Sequence, residues 1–320
     1  MKHILKLLAS FALITLVVSC GKDIDSFEPN AKDGAINEFL QTVQTFEESY
    51  TFNSNTAQYI ATGNNSIIHV PESAFEYANG EKVIGIVDIE YIEIIDKSLI
   101  ALYSKPTVTD SELLENERIF YLEASQDGEA IALIDSKKIG LFLSDATASS
   151  EAQLYTGALV GSNFTWIRDF ENIVEDGNWN TENPLTGENW SDFGYEFEVS
   201  NLGWISNAIV SDLNNLDKTG VCIKMPTTFD DLGTNTKVFM IFDLYDSVIE
   251  LTENDGSGTF CTGVSMTPIN QMVTFVSITA LGEDNYYLGM ESATTAEDLQ
   301  VNLVPERKTK EQILDILGMF

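Results

Sequence analysis

"GIVDIEYIEII", residues 85–95, decides how the chain is read. Val87, Ile89 and Tyr91 alternate with Asp88 and Glu90, a period of two that sets one side of a strand on a core and the other in water. At Ile92 the alternation stops, which predicts a bulge or a change of strand partner. The same β-branched and aromatic bias returns in "SIIHVP" (66–71), "IFYLEAS" (119–125) and "IGLFLS" (139–144), between clusters of Gly, Asn, Asp and Pro. A second block of such runs begins near Tyr195 and includes "GVCIKMP" (220–226), "TKVFMIFDL" (236–244) and "QMVTFVSITAL" (271–281). The expected fold is mainly β, two β-sandwich-like domains with a short N-terminal helix and a C-terminal helix.

The helices show a different period. Ile36, Phe39, Leu40 and Val43 recur at helical spacing behind Asp33, a candidate N-cap, and Ile313, Leu314, Ile316 and Leu317 do so behind Thr309. Five segments follow: a signal peptide (1–19), an acidic tether (20–32), an N-terminal β-sandwich domain (33–170), a polar linker or loop (171–194), and a C-terminal β domain with its terminal helix (195–320).

The first segment carries an address. Lys2 and Lys6 precede an apolar run from Leu7 to Val18, shorter than the roughly 20 residues of a spanning helix. Val17, Val18, Ser19 and Cys20 resemble the bacterial lipobox, in which the cysteine is lipidated and becomes the new amino terminus. Acyl chains at Cys20 imply a stable membrane anchor, since each buried methylene contributes about 0.8 kcal/mol. "GKDIDSFE" (21–28) resembles the acidic export signal of Bacteroidota surface lipoproteins. The resemblance implies an outer-membrane lipoprotein exposed at the cell surface, with the periplasmic face as the alternative.

Charge excludes one class of partner. Without the first 19 residues the chain carries 15 basic against 50 acidic side chains, and such a surface repels nucleic acid. Hydrophobic residues make up 44%, enough to bury a core, so the charge does not imply disorder. Residues 169–217 and 238–306 contain no Lys or Arg at all, and such acidic faces attract divalent cations.

Beyond Cys20, Cys222 and Cys261 remain, either as a disulfide closing a loop of about 40 residues or as two buried thiols. His69 is the one histidine left after His3 goes with the signal, and it sits in an apolar alternation, the place of a sheet residue rather than a catalytic base. No HExxH, GxSxG, GxGxxG or P-loop motif occurs, so no catalysis and no resident cofactor are expected.

Binding chemistry concentrates in "EDGNWNTENPLTGENWSDFG" (175–194). Asp176, Asn178, Asn180 and Glu182 fall at alternating positions, a set of oxygen ligands suited to calcium in a turn, although Thr181 and Gly187 depart from the EF-hand pattern. Trp179, Trp190 and Tyr195 beside these acids and amides are candidate sugar-stacking faces.

"NNSIIHVPESAFEYANGEKVIGIVDIEYIEI" (64–94), "SKPT" (104–107), "IFYLEASQDGEAIAL" (119–133) and "NLGWIS" (201–206) together resemble a group of uncharacterised Bacteroidota surface lipoproteins with β-sandwich domains. That group carries Asn-Cys-Asp after Gly-Trp-Ile, where this chain has Ser206, Asn207 and Ala208. The resemblance implies an extracellular β-fold and brings no catalytic residue. The expected function is a membrane-anchored surface lipoprotein acting as a binding or structural module, with a glycan or a surface protein as partner. The alternatives are a carbohydrate-binding accessory protein using the 175–193 loop, and a glycoside hydrolase drawing on two of the many carboxylates.

Overall fold

The computed structural model describes residues 34–44, 48–160, 163–183, 186–226, 229, 232–253, 257–263, 266–282 and 284–318. Cys20, the signal, the tether and Asp33 lie outside the described residues.

The strand Ile86–Ile94 lies between Glu48–Asn53 and Leu114–Gln126, and this first sheet continues through Gly203–Val210 and Gln153–Val160 to Asn163–Arg168, all antiparallel. The alternation of Val87, Ile89 and Tyr91 does face a core. It ends at Ile92 for a reason other than the one expected. Pairing runs on in register through Ile92↔Tyr121 and Ile94↔Ile119, so there is neither a bulge nor a new partner on that side. Instead the far face becomes covered too: Ile92 and Ile94 are buried against a different core from Tyr91. A strand buried on both faces loses its polar half.

The near face packs on a second antiparallel sheet, ordered Glu175–Glu182, Asn189–Val199, Ile139–Ser144, Ile67–Val70 and Gln58–Ala61. Tyr91, Phe120 and Leu122 of the first sheet meet Ile68, Leu141 and Phe197 of the second. Each such side chain contributes about 1.5–3 kcal/mol by leaving water. The result is a sandwich.

The segment 171–194 is therefore not a linker. Most of it forms a hairpin in which Glu175–Glu182 pairs with Asn189–Val199 and Gly177 stands opposite Gly194, and its second strand continues into the sandwich core at Tyr195 and Phe197. The strand Gly203–Val210 likewise lies inside the first sheet, so the first β unit extends past the boundary expected at 195.

A third, eight-stranded sheet runs from Gln300–Asn302 through Cys222–Lys224, Thr259–Cys261, Val248–Glu253, Thr236–Phe242, Met272–Ala280 and Tyr286–Thr294 to Glu306–Lys308. One of its faces closes on Ile223, Val238, Met240, Phe260 and Phe275. Cys222 and Cys261 are register partners in neighbouring strands, Cα atoms 4.1 Å apart, and form a disulfide.

The other face of the third sheet, carrying Phe239, Ile241, Val276 and Ile278, shares a core with the far face of the first sheet and with three helices. Helix Ala35–Val43 buries Ile36, Phe39, Leu40 and Val43 there, with the Phe39 ring 4.7 Å from Tyr286. Its amphipathic face thus rests on the C-terminal sheet rather than on the N-terminal sandwich, because that sheet offers the uncovered apolar surface. Helix Lys310–Leu317 starts from a capping box between Thr309 and Gln312, a device that contributes about 1 kcal/mol, and buries Ile313 and Leu317. Backbone hydrogen bonds also join the halves: the Thr107 N–H donates to the Val248 carbonyl at 2.8 Å and the Asn116 N–H to the Asp246 carbonyl at 2.9 Å. Among the described residues no helix is long and apolar enough to cross a membrane.

Candidate functional site

In the hairpin 175–199, one side of the first strand carries Trp179 and Thr181, both buried, and the other carries Asp176, Asn178, Asn180 and Glu182, all exposed. Same-face neighbours on a strand stand about 6.6 Å apart, which separates Asp176 from Glu182 by about 20 Å. Calcium requires all its ligands within about 2.6 Å. The four residues cannot close on one ion, and among the described residues no group of three or more His, Cys, Asp or Glu is placed to hold a metal.

The aromatic residues of this stretch do not form a shared platform either. Trp179 packs on Ile67 and Phe142 and donates its indole N–H to the Leu143 carbonyl at 2.9 Å. Tyr195 is fully buried in the sandwich, and its hydroxyl accepts the Ser149 N–H at 2.8 Å. Trp190 alone is half-exposed, stacked 6.4 Å from Tyr59. Tyr59 in turn stacks on His69 at 4.4 Å, where burial lowers the imidazole pKa and the nearby Glu198 opposes the fall. Two of the three candidate sugar-stacking rings therefore have no free face.

A concave site exists elsewhere. Where the first sheet meets the third, a cleft of about 1020 Å³ opens, lined by Lys105, Asp110 and Phe164 on one side and by Lys237, Glu250 and Phe260 on the other. Its volume suits a small ligand, and junctions between structural units are where such sites concentrate. Leu159 and Val160, 72% and 63% exposed at the end of the strand Gln153–Val160, form an apolar rim.

Lys105 is fixed there by local sequence. Helix Lys97–Leu102 ends with Ser104 in the left-handed conformation at φ 51°. The Ser104 N–H then bonds the Ala101 carbonyl and the Lys105 N–H the Ile100 carbonyl, each at 3.0 Å, the Schellman pattern. Pro106 follows, limits the conformations of Lys105, and accepts the Trp166 indole N–H at 2.9 Å.

So anchored, the Lys105 ammonium lies 4.4 Å from the ring centres of both Phe164 and Trp204. Gly157 makes room for the pair, since a Cβ there would stand 2.5 Å from Phe164 and 2.7 Å from Trp204. Burial pushes the amine down to about 8, Glu250 pulls it upward, and Lys237 adds to the fall. Lys237 and Glu250 form an ion pair with each other. Lys105 was invisible in "SKPT", where a lysine before proline reads as a solvated turn. Its aromatic partners come from strands 59 and 99 positions further on.

A second perturbed group sits on a bulge. Between the strands Leu114–Gln126 and Gly203–Val210 the register steps from Arg118↔Asn207 to Asn116↔Ala208, leaving Glu117 as the extra residue. Burial and the neighbouring Asp145 carboxylate push Glu117 up to about 7, against a hydrogen bond with the Tyr195 hydroxyl. These are two interacting carboxylates, but neither lines the cleft. Because the folded pKa lies above the usual 4.5, the folded state holds this proton more tightly than the unfolded one. Its stabilising effect is full at low pH and fades as pH rises through 7. Glu117→Gln is expected to be more stable than the parent above pH 7 and to lose that advantage below pH 4.5, read from urea unfolding across the range. A constant difference at all pH values would contradict this.

No family model and no curated protein matches the chain. Among solved structures, the Bacillus anthracis TIE protein is similar at 7% identity and a TM-score of 0.20, over 83% of this chain. The match spans 59% of that protein's length, and a likeness of this size bears on neither fold nor function.

Proposed function

We propose that this is a lipid-tethered cell-surface protein that binds a small ligand in the cleft between the first and third sheets. The cleft, with an ammonium held over two aromatic faces, is the observation that carries the binding half of this reading. It offers ring surface for an apolar group and unused donors for a polar one. The tether rests on the residues leading to Cys20, and the acidic surface suits a protein that stays in solution beside a negatively charged envelope. The reading assigns the chain recognition rather than turnover.

Cys20→Ala, expressed in a Gram-negative host, is expected to leave the membrane fraction and appear in the soluble one, followed by immunoblot. The parent is expected to stay with membranes and to be cut by protease added to intact cells. A variant that still sediments with membranes would remove the lipid tether from this reading, and a parent resistant to protease would place the protein on the periplasmic face.

A further inference from the structure

We propose that Lys105 is a nucleophilic amine, and that the cleft captures small uncharged aldehydes on it as imines. The inference deepens the binding reading above and rests on it, since the aldehyde must first enter the cleft.

Three features of the site point the same way. The ammonium has no hydrogen-bond or ion-pair partner among the described residues; apart from its contacts with two ring faces its N–H donors are not used by the fold, and in the neutral amine the lone pair has no hydrogen-bond partner there. It lies on the wall of a cleft large enough for a ligand. A lysine set in an apolar surround is activated toward carbonyl carbon, and Lys237, on the facing wall and ion-paired with Glu250, adds a smaller push in the same direction.

Burial and Lys237 together outweigh Glu250, so the amine titrates near 8 and a large share of it is neutral at mildly alkaline pH. The charged groups that line the cleft around it are Asp110, Lys237 and Glu250. Ser104 lies on the same wall, its hydroxyl oxygen buried with no hydrogen-bond partner among the described residues.

Charge selects the substrate class. A chain of net charge −33 disfavours anionic carbonyl compounds such as keto acids, and Phe164 on the cleft wall favours a flat apolar body. An uncharged aldehyde with an aromatic or short aliphatic group fits both. The neutral amine attacks the carbonyl carbon, the C–N bond forms, the carbonyl electron pair moves to oxygen, and one proton passes from nitrogen to that oxygen through solvent to give a carbinolamine. Solvent then protonates the hydroxyl, the C–O bond breaks to release water as the nitrogen lone pair forms the C=N bond, and the resulting iminium returns its remaining nitrogen proton to solvent to leave the imine. No oxidant or reductant enters.

The test uses the full chain in detergent, with benzaldehyde and cyanoborohydride to trap the imine as a stable secondary amine, followed by peptide mapping. At pH 8 the adduct is expected at Lys105 at least about ten-fold faster than at the exposed Lys82 and Lys224, because far more of Lys105 is neutral. The Lys105 rate should also level off above pH 8, while the exposed lysines keep rising. Benzyl alcohol, the same ring without the carbonyl, is expected to slow labelling at Lys105 and leave Lys82 unchanged. Equal rates at Lys105 and Lys82 would overturn the proposal. If Lys105 is no faster but crystals soaked in benzyl alcohol hold it in the cleft, the amine chemistry fails and the binding reading stands. If both are negative, both fall.

Discussion

Gly194→Ala is expected to lower stability by about 4 kcal/mol or more, beyond the range of ordinary substitutions. Gly194 pairs with Ser144 on one side and Gly177 on the other, where the hairpin crosses the edge of the sandwich. A Cβ at this position would stand 1.8 Å from the Leu143 carbonyl oxygen and 2.7 Å from the Asp145 amide nitrogen. Both obstacles are backbone, so no rotamer change relieves them. The same Leu143 carbonyl accepts the Trp179 indole, and the Asp145 N–H donates to the Phe193 carbonyl at 2.9 Å, so a shift of the strand breaks both bonds. Gly177→Ala is the control: it meets no atom within 4 Å and carries only the strain of φ 140°, about 1 kcal/mol. Urea unfolding of the two variants should separate them clearly. A loss under about 1 kcal/mol for Gly194→Ala would mean that the strand is not held where the structure places it.

Arg118→Met is expected to cost about 3–5 kcal/mol, because it strands a charge inside the sandwich. Glu93 is 1% exposed and forms an ion pair with Arg118, while the Ser66 and Tyr91 hydroxyls donate to its carboxylate at 3.0 and 2.9 Å. Arg118 also donates to the Ser144 carbonyl at 3.0 Å. Two hydroxyls are not enough to compensate a carboxylate removed from water. The double variant Glu93→Gln/Arg118→Met is expected to regain most of the loss, since the neutral amide keeps hydrogen bonds to the hydroxyls and leaves no lone charge. If the double variant is as unstable as the single one, the loss is due to packing of the arginine stem and not to the buried carboxylate. The pair sits on the core side of the strand that opened the sequence reading, at the position where Glu93 interrupts the apolar series.

How far the sequence could be followed depends on which faces are wet. In Ile86–Ile94 the pattern Val87, Ile89, Tyr91 against Asp88 and Glu90 reported a half-buried strand correctly, and the loss of alternation at Ile92 reported a real event. Its cause, a second covered face, depends on helix and sheet residues from both ends of the chain and has no local signal. The actual bulge in this sheet is at Glu117, inside the polar run "ENER" (115–118), which has no alternation for a bulge to interrupt. The C-terminal helix was legible because Ile313, Leu314, Ile316 and Leu317 follow Thr309 at helical spacing, and Thr309 does cap it, with Gln312 completing the capping box.

The hairpin at 175–199 was misread for a similar reason. Asp, Asn and Glu on its exposed side suggest a loop, and their period of two, taken for oxygen ligands in a turn, is that of a strand with Trp179 and Thr181 on the covered side. Trp179 and Tyr195 drew attention as aromatic residues among acids, but their rings serve the sandwich and its outer cluster. The cleft had no comparable motif. Lys105, Phe164 and Trp204 are ordinary in their own segments and become a site only when a helix terminus, an edge strand and an inner strand converge.

The most direct measurement is therefore crystallographic: soak crystals of the protein with benzyl alcohol and a set of small aromatic fragments, and locate the bound molecules. The account predicts that they gather in the cleft between the first and third sheets, against Phe164 and the Lys105 amine. Fragments found only on the outer surface of the hairpin 175–199, or nowhere near Lys105, would contradict it.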